Sequence, residues 1–137
     1  MNWFECKVKY QKTFENGVVG NVIESYVVKA ASCSDAETRI FEEFHPDSCP
    51  SIEAVGKRRY SDIFFNESAE KWYKGKLTFI TIDEKSGAEK KQSFVSLIQA
   101  DDFRSAVKCI DEGMNGSLND YEIVSLCETS IVDVIKL

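Results

Sequence analysis

Residues 3–10 read WFECKVKY, and residues 72–79 read WYKGKLTF. The two stretches keep a tryptophan, a second aromatic residue, a lysine, an aliphatic residue and a final aromatic residue in the same order, at an offset of 69 positions. Each stretch carries apolar residues at every second position, which is the period of a β-strand with one buried face. A match at this spacing indicates that one supersecondary unit occurs twice in the chain.

The match continues through a hairpin in each copy. Asn-Gly at 16–17 and Ser-Gly at 86–87 each follow an alternating segment, and glycine accepts the positive φ that tight β-turns need. The second strands then run through residues 26–30 and 96–100, which are apolar on both faces and therefore suit strands in the interior of a sheet. Each copy is predicted to begin with two antiparallel strands.

A helix follows each hairpin. Ser34 and Glu37 form the pattern of a capping box ahead of the first apolar stripe, and Asp101 or Asp102 can cap the second helix. The offset has become 70 here, so the equivalent buried positions of the two helices are Ala36 with Ala106 and Ile40 with Ile110.

The last segment of each copy is longer than a single strand requires. Residues 52–65 and 121–135 are both apolar and β-branched in part, and each contains a serine, Ser61 or Ser130, near which a strand would bend or break. Each copy is thus predicted to be ββαβ, or ββαββ if the last strand divides.

These elements predict an α+β fold, with residues 1–137 forming a single domain made of two pseudo-symmetric repeats, about 1–68 and 69–137. The economical arrangement is a mostly antiparallel sheet with two helices packed on one face, because each helix must bury its apolar stripe. The alternative is two smaller sheets, each backed by its own helix.

The hydropathy pattern and the cysteines predict the cellular compartment. No window approaches 18 uncharged apolar residues, and the N-terminus lacks a basic region followed by an apolar one, so we expect neither a membrane span nor a signal peptide. The five cysteines are widely spaced and odd in number, which favours reduced thiols over a disulfide framework. We therefore expect a cytoplasmic protein.

The net charge and its distribution along the chain indicate whether a nucleic acid could be a partner. The formal net charge of −6 opposes the counterion-releasing attraction on which most nucleic-acid binding depends. Residues 57–91 are locally basic, however, with nine Lys and Arg against six acidic residues. The side chains that could contact a nucleic acid are Lys57, Arg58, Arg59, Tyr60, Lys90 and Lys91.

Four stretches carry a resemblance to a known family: MNWFECKVKY at 1–10, RRYSDIFF at 58–65, WYKGKLTFITIDEKSGAEKK at 72–91 and DEGMNGSLNDY at 111–121. The chain resembles, over essentially its whole length, a family of about 140 residues known from Bacteroides-type bacteria and their phages. That family is a domain of unknown function, so the resemblance implies no activity or ligand. It does imply a setting in phage or mobile-element biology.

The opening strands suggest a partner-binding surface. One face of each carries the core residues, and the opposite face repeats a tryptophan with lysines in the same register. An indole beside ammonium groups can hold a base, an acidic peptide or a partner protein, but the favoured interpretation is that each indole packs on lysine stems at the sheet edge or caps the core where the strand starts. The candidate residues are Trp3, Lys7, Trp72, Lys74 and Lys76.

Motifs for catalysis are missing from the sequence. The single histidine, His45, has only Cys49 close to it, whereas a closed zinc site needs four ligands, normally in two close pairs. Neither of the glycine-rich phosphate-binding patterns occurs. We therefore assign no catalytic residues, no metal site and no cofactor.

Three classes of function remain open. The favoured hypothesis is a non-catalytic binding or adaptor protein that meets a protein partner, as a monomer or homodimer. The second is a nucleic-acid-binding protein that uses the basic segment 57–91. The third is an enzyme acting on a small molecule, since a site can form without a recognisable motif.

Overall fold

The structure is a computed structural model that describes residues 1–115 and 120–136. Strands and helices follow one another as ββαββ, twice, which confirms the longer of the two repeat patterns predicted from the sequence. In chain order they are β1 (Asn2–Thr13), β2 (Val19–Ala30), α1 (Cys33–Glu43), β3 (Ser51–Arg58), β4 (Asp62–Phe64), β5 (Lys71–Ile82), β6 (Glu89–Ala100), α2 (Phe103–Gly113), β7 (Asp120–Glu128) and β8 (Ile131–Ile135).

Two four-stranded sheets form, one in the order β3-β1-β2-β8 and the other in the order β4-β6-β5-β7. Within each sheet the hairpin strands and the first strand after the helix pair antiparallel, whereas β8 and β4 pair parallel to β2 and β6. The α+β class is therefore confirmed, and the two halves are similar. Of the two arrangements left open by the sequence, the described residues adopt the one with two sheets, each backed by its own helix.

The short last strand of each copy joins the sheet of the other copy. One compact unit comprises residues 1–59 and 130–137, and the other comprises residues 60–129. These boundaries differ from the predicted division at residue 68, because β4 pairs with β6 and β8 pairs with β2. We call the two the N-terminal unit and the central unit.

The hairpins follow the predicted turn chemistry. Gly17 has a φ of 81° and Gly87 a φ of 70°, so both turns use the left-handed region that glycine adopts without strain. In the first turn, the Phe14 amide donates to the Val18 carbonyl at 2.9 Å and the Gly17 amide donates to the Phe14 carbonyl at 2.9 Å. Each hairpin thereby joins two strands of 12 residues.

Both helices start at a side-chain cap. Asp102 caps α2, accepting the Ser105 amide at 2.7 Å, as one of the two predicted alternatives. The predicted cap at Ser34 is wrong: Ser32 accepts the Asp35 amide at 3.1 Å, and the Asp35 carboxylate accepts the Ala31 amide at 2.9 Å, so α1 begins earlier. Among the described residues, no helix is long and apolar enough to cross a membrane.

Each unit has its own core between sheet and helix. The equivalent helix residues predicted from the repeat are all fully buried, with 0% of each side chain exposed: Ala36, Ile40, Ala106 and Ile110. Cys6 is also fully buried, and burial is the main cause that raises the pKa of its thiol to about 11. Cys109 is only partly buried, and all five cysteines carry free thiols.

Candidate functional site

Trp3 lies in the middle of a row of three residues that crosses the N-terminal sheet. Lys29 of β2 is its cross-strand neighbour on one side, and Arg58 of β3 is its neighbour on the other. The Lys29 Nζ atom stands 5.7 Å from the centroid of the indole, within the range of a cation–π interaction. Because Trp3 is partly buried, part of this aromatic surface is accessible between two cationic side chains.

Glu5 partly balances the charge of this row. Its Oε2 atom accepts a hydrogen bond from Arg58 Nε at 3.0 Å. The Arg58 side chain folds back over Gly56, where an added Cβ would lie only 2.5 Å from Nη1, so the glycine leaves the room that the guanidinium occupies. Arg58 is therefore held next to Trp3 by an ion pair and by the shape of β3.

Lys7 completes the surface. It lies on the same side of β1 as Trp3 and Glu5, because alternate residues of a strand share a face, and it is exposed. We use the name Trp3 face for five residues on this side of the N-terminal sheet: Trp3, Glu5, Lys7, Lys29 and Arg58. Val27 and Ser25 of β2 lie on the same side, opposite Glu5 and Lys7, and are buried. Their formal charges sum to +2 on a chain whose net charge is −6.

Trp72, the equivalent of Trp3 in the central unit, is not on an exposed surface. Its side chain is only 1% exposed, so the expectation that it stands on an open face is wrong. The ring of Phe65 packs edge-on against it, with centroids 5.6 Å apart at an interplanar angle of 87°. Its Nε1 atom is buried without a hydrogen-bond partner among the described residues, which is costly for a donor and marks Trp72 as a packing residue.

The loop at residues 65–70 contacts Trp72 through the ring of Phe65, and Gln99 holds that loop in place. The Gln99 side chain accepts the Asn66 amide at 3.0 Å and donates to the Ala69 carbonyl at 3.0 Å. Gln99 is the cross-strand neighbour of Trp72, so it corresponds to Lys29 in the first copy. A lysine has three donors and no acceptor, so it cannot make this paired contact.

Lys74 and Lys76 remain exposed in the central unit, on the same side of β5 as Trp72. Their cross-strand neighbours on β7 are Cys127 and Ser125, and neither lysine lies beside an accessible indole. The structure thus brings Trp3 and Lys7 together with Arg58, which the sequence had placed in a different candidate set. The lysines predicted for the second copy lie in the central unit, next to a buried tryptophan.

The basic segment is dispersed. Lys57 lies opposite Phe4 and Arg58 opposite Trp3, so these neighbours point to opposite sides of the sheet. Lys90 and Lys91 likewise occupy opposite sides of β6, and Lys90 pairs with Asp83 at 3.7 Å. Arg59 follows β3 in the N-terminal unit and is exposed, whereas Tyr60 begins the central unit and is partly buried.

Sequence reasoning missed a polar cluster under the N-terminal hairpin. Tyr10 and Tyr26 donate their hydroxyl protons to the two oxygens of Glu24, at 2.9 and 2.7 Å, and both rings pack against Phe44. Burial first, and then the bond to Glu24, raises the pKa of Tyr10 to about 12 and raises that of Tyr26. Because both carboxylate oxygens are engaged by neutral tyrosines, we interpret the cluster as a brace between β1, β2 and the end of α1.

His45 lies in an exposed turn, where its Nδ1 atom accepts the Asp47 amide at 3.2 Å. Cys49, the other member of the rejected metal pair, is also exposed and has a left-handed backbone with a φ of 49°. Across residues 1–115 and 120–136, no three or more His, Cys, Asp or Glu side chains come together in a way that could hold a metal ion.

Comparison with known proteins places the chain in a family by its sequence. No curated protein and no solved structure matches it significantly. A family model described as a domain of unknown function, DUF4494, matches residues 2–137 and so covers both repeats. The chain therefore belongs to the DUF4494 family.

Proposed function

We propose that this chain is a non-catalytic binding protein that uses the Trp3 face to hold an acidic segment of a partner protein in the cytoplasm. The observation that carries the proposal is the partly accessible indole of Trp3 between Lys29 and Arg58. An aromatic plate flanked by two cations offers apolar area to the body of a peptide and charge to its carboxylates. Tryptophan and arginine are enriched at the centres of protein interfaces.

Contrast between the copies supports this assignment. The central unit buries its tryptophan next to a loop that Gln99 holds, whereas the N-terminal unit has Lys29 at that position and leaves Trp3 only partly buried. Lys29 contacts the first indole and Arg58 pairs with Glu5, whereas Lys7 is exposed and has no such local contact to account for it. A recognition role for the Trp3 face accounts for the presence of all three cations beside an indole that is not fully buried.

A nucleic acid is the second candidate, because an indole next to Arg58 could stack with a base. The alternation of Lys57 with Arg58 and of Lys90 with Lys91 across opposite sides of their sheets leaves no continuous track for a phosphate backbone. The net charge of −6 also opposes the phosphate backbone of a nucleic acid. We therefore favour a protein partner, and the family resemblance suggests phage or mobile-element biology as its setting.

Binding to a model acidic peptide tests the proposal. Poly-L-glutamate should bind the wild-type chain, and the double substitution Lys7→Glu with Lys29→Glu should weaken that binding about tenfold or more, equivalent to roughly 1.4 kcal/mol or more. The physical reason is the loss of two cations from the Trp3 face and the repulsion from two new carboxylates. Isothermal titration calorimetry at low and moderate salt gives the dissociation constants.

The matched control is Lys85→Glu with Lys108→Glu, which changes the net charge equally but alters lysines outside the Trp3 face. It should bind poly-L-glutamate nearly as the wild type does. If both double variants weaken the binding of poly-L-glutamate equally, the weakening results from net charge alone. That outcome would contradict a defined site. An oligothymidylate that binds more tightly than poly-L-glutamate, with affinity falling steeply as salt rises, would favour the nucleic-acid alternative instead.

A further inference from the structure

The β1–β2 hairpin extends beyond the strands that flank it. β3 pairs with β1 only as far as the Lys9–Ser51 pair, and β8 pairs with β2 only over Ser25–Val28. In the described chain, the stretch of β2 before Ser25 pairs only with β1. One edge of residues 18–24 is therefore open, next to the brace that Tyr10, Glu24 and Tyr26 form.

Backbone groups along this edge point outward at regular intervals. Phe14 and Val18 form a hydrogen-bonded pair at the turn, and antiparallel ladders alternate, so even-numbered residues of β2 direct their N–H and C=O groups to β1. The odd-numbered residues direct theirs away from β1, and from Ser25 onward these meet β8. Before Ser25, the outward-facing residues are Val19, Asn21 and Ile23.

Side chains on this edge are apolar and exposed. Val18, Val19 and Ile23 expose 56%, 59% and 62% of their surface, and residues 18–23 contain no charged residue. The equivalent stretch of β6, residues 88–93, carries Glu89, Lys90 and Lys91. Charged side chains are a usual device that stops an open strand edge from pairing with another chain, and only the second copy has it.

We propose that this edge pairs with the same edge of a second copy of the chain, forming a two-fold symmetric dimer centred on Asn21. Antiparallel pairing about that residue places Asn21 opposite its own copy, and Val19 opposite Ile23 of the second molecule on both sides of the axis. The outward N–H and C=O groups of these residues then bond to each other across the axis.

Self-complementarity is the reason to choose a second copy over a foreign strand. Two β-branched residues of similar length meet at both off-axis pairs, and the central amides can bond to each other. No like charges are brought together between residues 18 and 23, although the whole chain carries −6. A foreign strand would find no charged group in this segment that selects it.

Analytical ultracentrifugation over a range of protein concentrations tests the proposal. The variants introduce charges at positions 19 and 23, which face each other only in the proposed register. Wild-type protein should form dimers at high concentration. The variant with Val19→Lys and Ile23→Lys should weaken the dimer about tenfold or more, because it opposes lysine to lysine twice. The variant with Val19→Lys and Ile23→Glu should restore the dimer, because each lysine then faces a glutamate of the second copy.

Both positions are largely exposed, so the substitutions should leave the thermal unfolding temperature almost unchanged. Glu89→Lys, on the equivalent edge of the central unit, is the control and should not affect association. A wild-type chain that stays monomeric at every concentration would overturn the proposal. So would a lysine–lysine variant that associates as strongly as the wild type, or a lysine–glutamate variant no stronger than the lysine–lysine one.

Discussion

Replacing Trp72 with alanine should lower the free energy of unfolding by about 3–5 kcal/mol, which is the usual cost of emptying a buried aromatic site. The indole is 1% exposed and lies against Phe65, in the loop that Gln99 holds. The equivalent substitution Trp3→Ala should cost clearly less, since Trp3 is only partly buried and truncating it removes less buried surface. Chemical denaturation of the two variants measures both values.

Trp72→Phe separates the volume of the indole from its unpaired donor. Phenylalanine keeps an aromatic ring against Phe65 and removes the buried Nε1–H group, which has no partner among the described residues. It should therefore cost clearly less than Trp72→Ala. Equal costs for Trp3→Ala and Trp72→Ala would show that the two tryptophans occupy similar environments and would contradict the contrast between the two copies.

Removing residues 130–137 should destabilise the N-terminal unit before the central one. These residues contain β8, in which Ile131 and Val134 are 7% and 6% exposed, and which pairs with β2. Losing the burial of two such side chains costs on the order of 3–6 kcal/mol. Native-state hydrogen exchange on the truncated chain should show the largest loss of protection in β1 and β2.

A substitution in β4 provides the reciprocal control. Phe64 packs into the core of the central unit, against the last residue of α2, so Phe64→Ala should reduce protection in β5 and β6 first. The strand exchange predicts that each change affects the unit to which the strand belongs in space, not the one it adjoins in sequence. Loss of protection mainly in β7 and β5 after the truncation at residue 130 would contradict the exchange.

Much of the fold follows from local patterns in the sequence. Gly17 and Gly87, the cap at Asp102 and the apolar stripes of the helices act over a few residues, so they could be recognised without a structure. The exchange of β4 and β8 could not, because strand alternation does not specify which sheet a short segment joins. Ser61 and Ser130 marked where the strands break, but not the sheet to which each continuation belongs.

The candidate site was only partly predictable for a similar reason. Alternation placed Trp3 and Lys7 on one side of β1, and it placed Trp72 on the equivalent side of β5. It could not show that the loop at 65–70 contacts Trp72, since that depends on a long-range contact with Gln99. The first copy has Lys29 where the second has Gln99. This difference was the one available signal in the sequence that the two tryptophans differ.

Acrylamide quenching of tryptophan fluorescence, with and without poly-L-glutamate, tests the assignment of the Trp3 face most directly. The neutral quencher should reach Trp3 but not Trp72, so most of the quenching in the wild type should disappear in Trp3→Phe. If the Trp3 face holds acidic segments, poly-L-glutamate should protect the wild type from acrylamide and leave the residual quenching of Trp3→Phe unchanged. Binding of poly-L-glutamate without any protection of Trp3 would place the acidic segment elsewhere and contradict the assignment.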